Sequence, residues 1–276
     1  MSEVWREVAD LVFVRRYSTW NGDAFDQNVG AVLSSDGVVV IDTRASHRLA
    51  DELRDELSSL TGDPVAAVVN THHHWDHTWG NARFAGAPIW GHARCASRIV
   101  SDSSEVRDRI IGDEPGLAEE LGEVVFTPPD HTFSERAALD LGDRQLELRY
   151  LGRGHTDNDI VILVPDADAL FAGDLLENDA PPSYGDAFPS AWARTVEEGL
   201  LPLVSGVAIP GHGGVGGPAF VRRQAQELRQ MAELVRRVTR GDMAAEDAVR
   251  EAPFPASVAQ TAVERGAEEL AASQRG

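Results

Sequence analysis

The sequence predicts an α/β protein, and three observations carry that reading. Short β-branched runs alternate with stretches of helical periodicity through most of the 276 residues, as strands joined by helices do. The alternation occurs in both halves of the chain, which suggests two similar βα units. Four apolar runs also end in, or lead straight into, acids and histidines: VVVID at Asp42, AVVN before Thr71, LFAGD at Asp174 and VAIPGH at His212. In α/β architectures the loops beyond strand ends converge to make the site.

Taken in order, VGAVLSS (29–35) and GVVVIDT (37–43) are apolar runs meeting at Ser-Asp-Gly, a hairpin signal. HRLADELRDELSSL (47–60) places Leu49, Leu53, Leu57 and Leu60 at helical spacing. PVAAVVN (64–70) is a strand. Residues 101–123 are acidic and interrupted by Gly and Pro, and read as a surface insertion of short helices. RQLELRYL (144–151), DIVILV (159–164) and ALFAGD (169–174) are strands, a helix is expected around 190–204, and GVAIPGHG (206–213) is the last strand. Residues 1–219 are read as the catalytic domain and 220–276 as a helical extension packed on it.

All 25 basic residues are Arg; the chain contains no Lys, which excludes lysine-nucleophile and Schiff-base chemistry. Any anionic part of a substrate must meet Arg, backbone N–H, a hydroxyl or metal. A net charge of −20 repels phosphate backbones and argues against nucleic acid as a partner. A single cysteine, Cys95, excludes an internal disulfide and any Cys-rich zinc motif. No stretch has the length and apolarity of a membrane span. The N-terminus MSEVWREVAD lacks the features of a signal peptide, so a cytoplasmic protein acting on a small molecule is expected.

The segment NTHHHWDHTWGN (70–81) holds four of the nine histidines and an aspartate. His72 and His74, two apart, share a face in extended backbone, and His73 points away as a non-ligand. Asp76 and His77 lie where the chain turns. With His155, Asp174 and His212 the set reaches five imidazoles and two carboxylates. Zinc takes about four N or O ligands, so seven side chains suit two ions sharing a carboxylate. Such a pair lowers the pKa of water toward about 7 and polarises a carbonyl.

HHHWDH at 72–77, GHTDND around His155, FAGD at Asp174 and PGHG at His212 together resemble the metallo-β-lactamase superfamily, in order and in spacing, across roughly residues 10–220. The resemblance implies an αββα sandwich with extra C-terminal helices. It assigns His72, His74 and His155 to one metal, Asp76, His77 and His212 to the other, and Asp174 to both. It further implies a dinuclear zinc hydrolase in which a metal-held hydroxide, oriented by Asp76, attacks a carbonyl.

Ester, thioester or lactone substrates are expected ahead of β-lactams. The zinc β-lactamases with a Cys ligand carry it where Asp174 stands, and many hold the drug's carboxylate with a Lys. A second alternative is a persulfide dioxygenase with one Fe²⁺ in place of two Zn²⁺. Loops 17–25 and 178–192 offer Trp20, Phe25, Tyr184, Phe188 and Trp192 as substrate contacts; Arg153, two before His155, and Arg44, two after Asp42, are anion-binding candidates.

Overall fold

The computed structural model describes residues 5–18 and 26–273. The first half runs β1 (Arg6–Ala9), β2 (Val12–Ser18), β3 (Asp26–Ser34), β4 (Gly37–Ile41), α1 (His47–Leu60), β5 (Val65–Val69), α2 (Trp75–Thr78), β6 (Ile89–His92), α3 (Ala93–Asp113), α4 (Ala118–Gly122) and β7 (His131–Phe133). The second half contains β8 (Arg136–Asp140), β9 (Gln145–Tyr150), β10 (Ile160–Val164), β11 (Ala169–Glu177), α5 (Pro189–Arg194) and β12 (Val207–His212). It is followed by α6 (Pro218–Thr239), α7 (Ala245–Glu251) and α8 (Ala256–Ser273).

The strands run β7-β6-β5-β4-β3-β12-β11-β10-β9-β8, with β2 also paired to β3 and β1 to β2. The expected hairpin is present as antiparallel β3–β4, closing at Ser34 and Gly37. Beyond it, β4, β5 and β6 are parallel neighbours, with α1 as the crossover from β4 to β5. The two halves meet where His212 of β12 pairs with Gln27 of β3.

Period-2 alternation sorts these strands into layers. Val39 and Ile41 of β4 join Ile160, Ile162 and Phe171 of the other half in a central cluster between the two β layers. Val38 and Val40 face the opposite way, onto Ala50, Leu53 and Leu57 of α1. In the second half Val161, Leu170 and Ala172 face outward onto Trp192 of α5 and Leu228 and Met231 of α6. The result is helix, sheet, sheet, helix: the αββα sandwich implied by the motifs. Ala259 and Ala262 of α8 belong to that same outer cluster, so the C-terminal helices share a core with β11 rather than forming one of their own.

One segment differs from its sequence reading. Of the stretch 101–123, the part up to Asp113 belongs to a single 21-residue helix, α3, that begins at Ala93, and only residues 115–122 form the short helices expected. Gly112 falls in the last turn of α3 and Pro115 lies beyond its end, so neither interrupts it. Buried Cys95, Ile99 and Ser103 define its inner face, and the acids that suggested a surface insertion lie largely outside that face.

Candidate metal centre

β5 ends at Val69, and the chain turns through Asn70–His74 before the single helical turn of α2. Strand alternation therefore stops short of the histidines. Their directions are set instead by hydrogen bonds from neighbouring strand ends. Asp42, just past β4 with φ +64°, accepts from the Thr71 N–H at 2.8 Å, from Thr71 Oγ1 at 2.8 Å and from His77 Nδ1 at 2.7 Å. Burial pushes the Asp42 carboxyl up in pKa, and these donors, His77 foremost, oppose it.

All five imidazoles follow one pattern. Thr71 Oγ1, having donated to Asp42, accepts from His72 Nδ1 at 3.0 Å. His77 donates to Asp42 through Nδ1, His155 to the Ser183 carbonyl through Nδ1 at 3.2 Å, and His212 to the Asp26 carbonyl through Nδ1 at 2.9 Å. His74 donates through Nε2 to Asp186 Oδ1 at 3.1 Å. In each ring the outer nitrogen is held by an oxygen and the inner nitrogen faces a common centre, the arrangement found around bound metal.

The inner atoms form two groups. His72, His74, His155 and Asp174 make one and Asp76, His77 and His212 the other, with the donor atoms within each group no more than 4.8 Å apart; a third set as compact, His73, His74 and Asp186, involves the Asp186 side of His74. His155 Nε2 lies 2.8 Å from His74 Nδ1. Asp174 touches both groups: Oδ2 is 3.4 Å from His155 Nε2 and 3.2 Å from His212 Nε2, and Oδ1 is 3.4 Å from His77 Nε2. Two glycines make room for this carboxylate. A Cβ on Gly211 would lie 1.8 Å from Asp174 Oδ1, and Gly173 adopts φ +52° where a Cβ would meet Thr71 at 2.7 Å.

The residues fit a pair of cations. His72 Nε2, His77 Nε2 and Asp174 Oδ1 are buried with no hydrogen-bond partner, an expensive condition without an ion to meet them. Burial resists ionisation of Asp174 and Asp76, yet the surrounding imidazoles hold both carboxyls well below the usual range. Burial likewise opposes charge on His77 and His212, but Asp76 and Asp174 carry both rings well above the ordinary imidazole value. His72 is lowered well below that value, and His155 to about 4, mainly by burial. A divalent cation at this centre would supply the positive charge that Asp76 and Asp174 otherwise draw onto His77 and His212.

His73 is different. Its ring lines the cavity wall rather than turning away, because the backbone here is not a strand. Asn158 Nδ2 donates to its Nδ1 at 3.0 Å, so its proton sits on Nε2, 3.7 Å from Asp186 Oδ2. That tautomer leaves no lone pair on Nε2 for an ion.

The centre forms one wall of a cavity of about 570 Å³ that also reaches Trp75, Trp79, Val106 and Asp186. From loop 178–192 it is Ser183, Gly185 and Asp186, not the aromatics, that line it. Tyr184 and Trp192 are buried in the core: Trp192 donates to the Leu175 carbonyl and presents its ring to His155 at 5.5 Å, with Tyr184 packed behind it. Phe188 lies beneath the Arg153 guanidinium at 4.9 Å, away from the cavity lining. Arg44 is buried over Tyr17 and bound to Glu52. Trp20 and Phe25 lie outside the described residues. Asp186 and the wall contributed by α3 carried no signal in the sequence, since both reach the site through loop and helix packing.

Residues 22–237 match the family profile of the Metallo-beta-lactamase superfamily. Among curated proteins, a metallo-beta-lactamase type 2 of Bacteroides fragilis is 32% identical over 42% of this chain, which spans about half of that relative (47%). A metallo-beta-lactamase type 2 of Bacillus sp. (strain 170) is 26% identical over 71% of this chain and 70% of its own length. Among solved structures, a metallo-beta-lactamase from Pontibacter korlensis superposes with a TM-score of 0.66 at 21% identity, covering 82% of this chain and 99% of that one. This last likeness concerns the fold.

Proposed function

Since the chain belongs to the metallo-β-lactamase superfamily of metal-dependent hydrolases, we propose that it is a dinuclear zinc enzyme that hydrolyses the amide of a β-lactam ring. The observation that carries the hydrolase reading is the pair of touching ligand groups joined by Asp174 on a cavity wall. The β-lactam assignment is supported by the curated relatives, which bear that name over as much as 71% of this chain. His72, His74 and His155 hold one ion, Asp76, His77 and His212 the other, and Asp174 faces both. Bound zinc supplies a Lewis acid and brings water's pKa toward neutrality.

The chain's own groups do the rest. Asp42 and Asp186 lock His77 and His74 in the tautomers that point their lone pairs inward. Asp76, a carboxylate on the cavity wall, accepts hydrogen from the attacking water and orients it. Trp75 and Val106, backed by the buried Trp79, supply an apolar surface that displaces solvent from the bound acyl group.

A second reading, hydrolysis of an ester, thioester or lactone, is favoured by Asp174 standing where a Cys ligand would mark the better-known zinc β-lactamases. Both readings are tested by metal content per chain followed by a substrate panel. About two zinc ions per chain with chelator-sensitive loss of benzylpenicillin absorbance supports the proposal. Turnover of a lactone or thioester with the β-lactams untouched selects the second reading. One iron per chain with oxygen uptake on a persulfide refutes both.

A further inference from the structure

The cavity has a second wall, built by α3. Arg98, Asp102, Glu105, Val106 and Arg109 line it at spacings of four, three, one and three, a single helical face. The wall is pinned to the metal-binding segment by Trp79, whose Nε1 donates to Ser103 Oγ at 3.4 Å. Apart from imidazoles, Arg98 and Arg109 are the cations on the described lining. With no Lys anywhere in the chain, they are the permanently charged side chains of this cavity able to meet a substrate anion.

The two arginines are not equivalent. Eleven residues of helix separate them by about 16 Å along the axis, too far to share one carboxylate. Arg98 lies at the end near the signature segment, close enough to act electrostatically on His73. Its Nη1 is 2.9 Å from Asp102 in a half-exposed i,i+4 pair, a weak bond that a ligand can share. Its Nε is buried and has no hydrogen-bond partner. Arg109, at the outer end, makes no hydrogen bond or ion pair among the described residues.

We propose that Arg98 is the anion anchor of the site: it binds a carboxylate on the substrate while Trp75 and Val106 cover the adjoining apolar portion, so the enzyme selects carboxylate-bearing acyl compounds. The inference rests on the hydrolase reading for its meaning, but its test does not.

The experiment is a calorimetric comparison of 2-benzylsuccinate with 3-phenylpropanoate on the zinc-loaded protein. The second ligand lacks one carboxylate, and both retain one for the metals. The extra carboxylate is expected to tighten binding roughly tenfold to a hundredfold, the value of a charge-assisted hydrogen bond. Arg98→Ala should abolish that gain and leave 3-phenylpropanoate unaffected. Arg98→Lys should restore part of it, and Asp102→Asn should enlarge it by freeing the guanidinium. Arg109→Ala should change it less than threefold.

An undiminished gain in Arg98→Ala, an equal loss for both ligands, or a gain that vanishes only in Arg109→Ala overturns the proposal. Absence of any gain in the unaltered protein does so too. A carboxylate gain that depends on Arg98 in a protein that hydrolyses nothing upholds the anchor and rejects the hydrolase.

Discussion

Replacing Asp42 tests whether hydrogen bonds behind the ligands organise the metal centre. In the folded protein one buried carboxylate satisfies three donors: the Thr71 N–H, the Thr71 hydroxyl and His77 Nδ1. Asp42→Ala leaves all three buried without an acceptor, at about 1–3 kcal/mol each, and places alanine at φ +64° at about 1 kcal/mol more. Water entering the space offsets part of this, so a loss of about 5 kcal/mol is expected, a large share of a typical domain's stability.

Asp42→Asn separates orientation from strain. Asparagine tolerates the left-handed backbone and keeps one acceptor oxygen. Its NH₂ group takes the place either of Oδ1, against the Thr71 N–H, or of Oδ2, against both His77 Nδ1 and the Thr71 hydroxyl. Against His77 it forces the proton onto Nε2, the nitrogen that should hold the ion. A stability loss of about 2 kcal/mol with a tenfold to hundredfold fall in zinc affinity is expected. Urea denaturation and titration against a chromophoric zinc chelator measure the two quantities. Zinc affinity within twofold of the unaltered protein, or a loss below about 1 kcal/mol for the alanine variant, refutes the reasoning.

Three further outcomes are expected. Removing metal with EDTA should lower Tm by about 5–10 °C, because a ligand that binds only the folded state at a hundred times its Kd adds about 2.7 kcal/mol; differential scanning calorimetry with and without zinc checks it, and an unchanged Tm rejects the metal centre. His73→Ala should keep the full metal content by plasma mass spectrometry, since the His73 tautomer set by Asn158 excludes ligation; loss of an ion shows the tautomer to be wrong. Cys95 is fully buried, and burial pushes its thiol well above the usual range. It should resist a chromogenic disulfide reagent in the native state and react once per chain in guanidinium, whereas rapid native labelling contradicts its placement in the core.

The site was more legible in the sequence than its surroundings. His72, His74, Asp76, His77, His155, Asp174 and His212 stood out because their types and spacing suit metal ligation, and the fold gathers them into two compact groups of donor atoms. The αββα layering came from the family resemblance alone: Val38 to Ile41 alternate strictly between two cores, but all four are apolar and fully buried, so polarity does not mark which face each one takes. The β-lactam reading, set behind esters and lactones on the absence of Lys, is the one the relatives favour.

Tertiary structure alone decided the rest. It showed that His73 shares the cavity with its neighbours, since a turn breaks the alternation that would have hidden it. Asp186 became the partner of His74 through a loop closing from more than a hundred residues away, |i−j| = 112. Tyr184 and Trp192 went into the core, where they complete the packing of α5 and α8, instead of onto the cavity wall. The acidic stretch from 101 became a wall of that cavity because a helix buries one face and must present the other to something. Local patterns name the residues able to bind or pack; which surface each one meets is set by long-range contacts that no short window of sequence contains.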